Sequence, residues 1–307
     1  MILTLCANPS VDSFWSINDI QQGTTNRSSK ERFFAGGKGV HVAMALHELG
    51  QKVALQGVWG GVTGNWIKKS CEDKGIEISG PIVNGWTRIC ITNQSNNSWN
   101  ETEFLGSGPS LTPEQIKEFY YTFEQSLKEQ QPNGVVIAGS TPAGFEDSAY
   151  KKLISTAQKH NTPTYIDASG SLLKQSLDTK PHLIHINQHE GKTISGYLDP
   201  QKICQWLQQY CNIAAITAGS DGLYLSVDDQ IYHGYHILKE SAIHSTIGSG
   251  DCLLAGLCKA INESKDPKTW VRWGVACGSA NCVYPKLGML SEEDVSKFFN
   301  QVTVEKY

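Results

Sequence analysis

Short apolar runs rich in β-branched residues recur along the chain at positions 2–7, 53–58, 135–139, 164–168, 183–186 and 213–218. Runs of this length predict buried strands. Helical patterns lie between most of them. Val42, Leu46 and Leu49 share one face ahead of Gly50, which reads as a helix stop, and Thr112-Pro113-Glu114-Gln115 reads as a capping box with proline at the first helical position. Strands alternating with helices predict an α/β chain, a mostly parallel sheet covered on both faces, with ligands held beyond the carboxyl ends of its strands. Two stretches break the alternation. Segments 12–34 and 86–105 are polar, carry aromatic and β-branched residues, and contain no helical pattern, so they are expected to form extra strands in a small sheet or lid. The Asn- and Ser-rich turn at 93–98 suits a hairpin tip. No repeat or linker divides the chain, so residues 1–307 are expected to form one domain with both lid segments inserted in it.

Composition narrows the class without naming a reaction. A length of 307 residues with 39% hydrophobic content suits one large soluble domain, and a net charge of −4 gives no reason to expect nucleic acid or an anionic membrane as partner. The opening Met1 to Cys6 has no charged n-region and meets Asn8-Pro9 too early for a signal peptide, and no apolar run reaches the roughly 20 residues that span a bilayer. The nine cysteines are odd in number, contain no C-x-x-C and are not spaced as a zinc site, so reduced, mostly buried thiols of a cytoplasmic protein are expected. Only four of the 26 basic residues are arginine: Arg27, Arg32, Arg88 and Arg272. A rigid two-pronged anion clamp is therefore available in very few places.

Candidate chemistry gathers at glycines. Ser245-Thr246-Ile247-Gly248-Ser249-Gly250-Asp251 runs straight into an amphipathic helix carried by Leu253, Leu254 and Leu257. Such a junction leaves backbone N–H groups pointing at one spot and suits a phosphate. Asp251, inside the same first turn, either accepts the proton of an attacking hydroxyl or is simply a favourable first-turn acid. Gly36-Gly37-Lys38-Gly39 opens a second helix and permits close backbone approach to a ligand, yet it is not a Walker A sequence. Gly139-Ser140-Thr141-Pro142-Ala143-Gly144 and Thr217-Ala218-Gly219-Ser220-Asp221-Gly222 are further glycine turns at the ends of expected strands.

Taken in this order, these motifs resemble the ribokinase-like (PfkB) family of carbohydrate kinases across the whole chain. Residues 36–50 and 246–256 are similar to its two signature regions, with Ser249 where the second usually has alanine. The opening Asn8-Pro9-Ser10-Val11-Asp12, with Thr25-Asn26-Arg27, Trp86-Thr87-Arg88 and the 139–144 turn, resembles the branch acting on already phosphorylated ketohexoses. That branch includes 1-phosphofructokinase, tagatose-6-phosphate kinase and the minor 6-phosphofructokinase. The resemblance implies a three-layer ribokinase-like sandwich with a small β-sheet lid, which often pairs between subunits in a homodimer. It implies ATP as donor and Mg²⁺ near its phosphates, placed through Asn187 and, by way of water, Glu190. Asp251 would be the base, and the backbone of Gly248, Ser249 and Gly250 the anion hole. Asp12, Gly37 and Gly39 would meet sugar hydroxyls, and Arg27, Arg88 and Ser140 would hold the phosphate already on the sugar, with Lys38 nearby. Thr217, Gly219 and Gly222 would accompany the nucleotide, and the helix containing Cys277 to Cys282 would wall the adenine.

Three positions depart from the branch. His41 stands where asparagine usually contacts sugar hydroxyls, His185 stands where a lysine precedes the N-x-x-E, and Ile89 replaces a polar lid residue. His185 lacks a fixed charge at neutral pH. Asn187-Gln188-His189-Glu190 also reads as a plain helix cap with an acid at its third position. His182, His185 and His189 straddle a strand and a helix start, and strand alternation sets His182 and His185 on opposite faces, against a shared metal. The expected reaction is ATP-dependent phosphorylation of a ketohexose phosphate, fructose 1-phosphate to fructose 1,6-bisphosphate being favoured over tagatose 6-phosphate or fructose 6-phosphate. An unphosphorylated sugar or nucleoside acceptor competes with it, favoured by His41 and Ile89, and a non-catalytic sugar-phosphate sensor is the third reading.

Overall fold

The computed structural model describes residues 1–95, 99–286 and 288–307, so residues 96–98 of the expected hairpin tip lie outside the described residues. All six apolar runs become strands of one ten-stranded sheet: β1 (Ile2–Cys6), β4 (Val53–Gly57), β10 (Gly134–Ala138), β11 (Thr164–Asp167), β12 (Leu183–Asn187) and β13 (Ile213–Thr217). With β6 (Glu77–Ser79) at one edge they run parallel in the order β6-β4-β1-β10-β11-β12-β13. The remaining edge, β14 (Leu223–Val227), β15 (Gln230–Tyr235) and β16 (Thr303–Lys306), is antiparallel. The β14–β15 hairpin turns through Asp228 and Asp229, both with positive φ (49° and 58°), the mirror-image geometry that matches strand twist.

Helices cover both faces, as the near-continuous apolar strands require. One face packs α1 (Lys38–Glu48), α8 (Ser249–Glu263), α9 (Pro267–Val283) and α10 (Glu292–Phe299) against residues such as Ile2, Val136, Leu183 and Ala215. The other packs α3 (Pro113–Gln130), α4 (Ala149–Lys159), α5 (Gly170–Ser176) and α7 (Pro200–Leu207) against Leu3, Val135, Ile184 and Ile216. Period-2 alternation thus divides each strand between two cores. The expected box at Thr112 forms in full, with its side chain accepting from Gln115 N–H and Gln115 answering onto Thr112 N–H. All nine cysteines are free thiols, and Cys282 alone of them is not fully buried.

The two polar stretches pair with each other, as expected. A separate four-stranded sheet runs β3 (Glu31–Gly36), β2 (Ser10–Trp15), β8 (Arg88–Asn93), β9 (Thr102–Leu105). Because β3 leads into α1 and β2 follows β1, this sheet starts at the carboxyl ends of the large sheet's central strands. Two further elements join it to the core: α2 (Gly61–Glu72) and a two-stranded pair, β5 (Trp59–Gly60) with β7 (Ile82–Val83). No helix among the described residues is long and apolar enough to cross a membrane.

Candidate active site

The carboxyl ends of β1, β10, β11, β12 and β13 deliver Asn8, Ser140, Asp167, Asn187 and Thr217 to one rim, and two helix N-termini face it. Helix α8 begins at Gly248, whose φ of 83° lies in the left-handed region and where a Cβ would stand 2.6 Å from the Gly288 backbone, so glycine is required twice over. No side chain caps this helix. The Ser249 amide donates to Thr246 O at 3.1 Å, which leaves the amides of Gly250 and Asp251 as open donors of the first turn. A 15-residue helix adds its dipole at that point. Helix α9 closes the turn from behind, Gly278 lying against the Ser249 backbone and Asn281 Nδ2 donating to Met289 O at 2.8 Å.

Asp251 is buried (6% exposed) and does not merely decorate the helix start. Its Oδ2 is 2.9 Å from Nδ1 of His41, which projects from the first turn of α1. His41 Nε2 lies 3.2 Å from Oδ2 of Asp12 on β2, off the ring's hydrogen-bonding axis. Ser10 Oγ donates to the other Asp12 oxygen at 2.6 Å. Gly36 and Gly288 leave the room: side chains there would run into Asp12 and into the His41 ring. Burial alone would lower His41, but the charges of Asp12 and Asp251 beside it and the hydrogen bond to Asp251 outweigh it and push the imidazole up to about 10. Burial raises Asp251 above the usual carboxylate range, and His41 opposes that rise.

A second cluster adjoins the first. Asp167, at the end of β11 and 1% exposed, takes a short ion pair from Lys38 Nζ on one oxygen, and its Oδ2 lies 2.8 Å from His185 Nδ1. Desolvation pushes Asp167 upward, yet Lys38 and His185 hold its carboxyl well below the usual range. Lys38 is raised in turn, its burial overcome by Asp167, Asp251 and Glu190. His185 is buried, and its Nε2 has no hydrogen-bond partner. The ring faces α8: a Cβ on Gly250 would lie 3.3 Å from His185 Cε1.

Toward the small sheet, Asn8 Nδ2 donates to Ser140 Oγ and to Ser107 O, each at 3.2 Å. Arg88 Nε donates to Asn8 O at 3.2 Å, and Nη1 to Gly106 O at 3.4 Å. Arg88 and Ser140 thus meet through Asn8. Arg27 sits instead on the loop between β2 and β3, in a cavity of about 340 Å³ lined by residues 16–29. Arg32 ties β3 to Pro285 O and Gln94. Gly37 caps α1 and Gly39 lies buried in its first turn.

Farther along the rim, Asn187 ends β12 beside Thr217 of β13. The 218–222 turn closes with Ala218 N–H on Gly222 O at 2.9 Å, and both Gly219 and Gly222 have positive φ. Asn187 and Glu190 form a complete capping box on α6 (Gln188–Ser195): Glu190 N–H donates to Asn187 Oδ1 at 2.8 Å and Asn187 N–H to Glu190 Oε2 at 2.9 Å. The cap reading of N-x-x-E is therefore realised, with one Glu190 oxygen left over. Two participants escape the sequence reading. Asp167 is a lone acid ending an apolar run, a signal available in the sequence, and Asn8 belongs to a motif whose individual role shows only in three dimensions.

The model of the pfkB family carbohydrate kinases matches residues 7–293. The chain is 31% identical to the 1-phosphofructokinase of Bacillus subtilis over 314 aligned positions, covering all of both proteins. Among solved structures, phosphofructokinase-2 of Escherichia coli in complex with fructose-6-phosphate superposes with a TM-score of 0.86 at 23% identity, over 97% of this chain and 98% of that one. A possible 1-phosphofructokinase of Thermotoga maritima gives 0.88 at 21% identity, over 100% and 99%. These two structures share the fold.

Proposed function

The chain belongs to the pfkB family of carbohydrate kinases and is a phosphotransferase acting on a sugar hydroxyl, and we propose that its acceptor is a ketohexose phosphate, fructose 1-phosphate giving fructose 1,6-bisphosphate. The observation that carries this reading is the union, at one strand rim, of a buried carboxylate on an open helix N-terminus (Asp251) with the Arg88–Asn8–Ser140 cluster. The first supplies a base beside an anion hole, the second an anchor for a phosphate already on the sugar. The full-length likeness to a 1-phosphofructokinase favours fructose 1-phosphate over its isomers.

In the proposed reaction Asp251 takes the proton of the acceptor hydroxyl as its oxygen attacks the γ-phosphorus of ATP. The phosphorus–oxygen bond to ADP breaks, and the amides of Gly250 and Asp251, with Gly248 behind them, bind the charge that builds on the transferred group. Asp12 and the backbone of Gly37 and Gly39 hold the sugar hydroxyls. Lys38 and His185 face the phosphoryl group from Asp167. Thr217, Gly219 and Gly222 line the nucleotide. Glu190 keeps one carboxylate oxygen outside its cap, and a single hard oxygen beside Lys38 and the phosphate path suits a water-mediated magnesium site. Magnesium held there through water would neutralise charge on the nucleotide phosphates. The small sheet would act as the lid that excludes water. Its outer row, Phe33-Ser13-Ile91-Phe104, leaves Phe33 and Phe104 half exposed, which supports a homodimer formed lid to lid.

The test is ADP release from MgATP with fructose 1-phosphate, fructose 6-phosphate and tagatose 6-phosphate, set beside their unphosphorylated sugars. Turnover of a sugar phosphate is expected, and turnover of none removes the assignment.

A further inference from the structure

We infer that His41 is the positioning residue of the acceptor site: as an imidazolium it bridges Asp251 and Asp12 and keeps the Asp251 carboxylate ionised in a buried pocket. The inference rests on the kinase reading and adds to it a residue at which this chain departs from its branch.

The geometry carries the argument. A neutral imidazole could at most hydrogen-bond the carboxylate oxygen 2.9 Å from Nδ1, whereas a positive ring also attracts the second carboxylate oxygen, 3.2 Å from Nε2 and off its N–H axis. Only the doubly protonated ring combines a hydrogen bond to Asp251 with a positive charge beside Asp12. The ring is 4% exposed, held between α1, α8 and the small sheet, and any side chain at Gly288 would overlap it. Asparagine at this position would donate an amide N–H but bring no charge.

Among the described residues no other charged side chain lies within ion-pair distance of His41. Helix α8 presents Asp251, β2 presents Asp12, and β1 presents the Cys6 thiol, which burial pushes up to about 11. On β3, Arg32 turns away to Pro285 and Gln94. Lys38, one turn before His41, is paired with Asp167, and β4 and β10 carry no titratable side chain. The imidazolium is therefore the opposite charge in direct contact with Asp251, which burial otherwise drives toward its protonated, inert form. During transfer the acceptor proton passes to Asp251 as the new oxygen–phosphorus bond forms and the bond to ADP breaks. His41 keeps both of its own protons throughout.

Two measurements test this. The first follows the nine histidine ring signals of the unliganded protein by NMR as pH rises. One signal, absent in His41→Asn, is expected to remain that of an imidazolium up to about pH 10 and to titrate earlier in Asp12→Asn. Should His41→Asn not fold, the parent alone still decides: no ring signal protonated at pH 9 overturns the bridge. The second compares pH profiles of kcat/KM. The acidic limb of His41→Asn is expected to move up by about one unit, with KM for ATP unchanged. An acidic limb that superimposes on the parent's reduces His41 to a packing residue and overturns the inference. The titration needs no substrate, so its failure falls on the bridge alone, whereas absence of turnover across the sugar panel falls on the kinase reading.

Discussion

Asp251→Asn separates a base from a helix ornament. The amide is nearly isosteric, and its oxygen can still accept from His41 Nδ1, 2.9 Å away in the parent, so the first turn of α8 and the open amides of residues 250 and 251 stay where they are. Donor binding should survive. What disappears is the group proposed to receive the hydroxyl proton, a contribution of about 10²- to 10⁴-fold in rate. At 1.36 kcal/mol for each factor of ten, that is roughly 3 to 5 kcal/mol of transition-state stabilisation. The loss should sit in kcat, because Asp251 acts on a proton that moves only in the chemical step. The assay is coupled ADP release at saturating MgATP and sugar phosphate, with KM for each substrate from the same data and near-UV circular dichroism to confirm the fold. A folded variant with parental kcat would refute the assignment and return Asp251 to the role of a first-turn acid.

Other perturbations address other parts of the site. Arg88→Ala removes the donor that meets Asn8 O and Gly106 O and the charge proposed for the sugar's phosphate; KM for the phosphorylated acceptor should rise about 10- to 100-fold, with the unphosphorylated sugar unaffected. Glu190→Gln retains an oxygen for Asn187 N–H, so α6 should persist while the Mg²⁺ concentration for half-maximal rate rises roughly tenfold, read from a metal titration. Stability should fall on the alkaline side through His41: its folded value of about 10 lies above the ordinary 6.5, so its contribution is complete below 6.5 and is lost as pH climbs toward 10. Chemical denaturation at pH 6, 8 and 10 should show that decline in the parent and not in His41→Asn. Asp167 acts oppositely, since its carboxyl is held low: its contribution is present above the ordinary 3.8 and fades as pH drops below it, so Asp167→Asn should flatten the acid side of the same curves.

The parts that were legible in the sequence are those written in consecutive residues. The six parallel strands show as apolar runs because both of their faces are buried, and the two helix openings show because glycines cluster there. β14, β15 and β16 escaped because they lie at the sheet edge, mix polar with apolar residues, and turn through Asp228-Asp229, two acids in a conformation usually signalled by Asn-Gly. Arg27 and Arg88 stood out by rarity, yet within the chain only Arg88 is joined to Ser140, because strand β8 has a fixed register beside β2 whereas Arg27 rides on a loop. The link between residues 12, 41 and 251 has no local signature at all. His41 reads as a departure from a motif until α8 and β2 close on α1 and bring one carboxylate to each of its nitrogens.

That packing also explains how so few arginines suffice. Asp12, His41 and Asp251 carry a net negative charge when the ring is protonated, whereas Lys38 and Asp167 offset each other and His185 adds an unpartnered ring nitrogen. The open end of α8 stands between the two sets, with Asp251 on one side and the unpartnered His185 Nε2 on the other. A hydroxyl proton is drawn toward the first set and an anionic phosphoryl group toward the second, so the field along the proposed transfer path favours both movements. Exchanging the sets would oppose both. Histidine suits each place for a different reason: at position 41 two carboxylates keep it charged, and at position 185 one ring nitrogen is fixed on Asp167 while the ring's other side faces the start of α8. His185→Phe keeps a buried ring and removes both nitrogens, so donor affinity should fall about tenfold with α8 in place. Donor binding by calorimetry with a non-hydrolysable ATP analogue decides it, equal affinities in parent and variant being the refuting result.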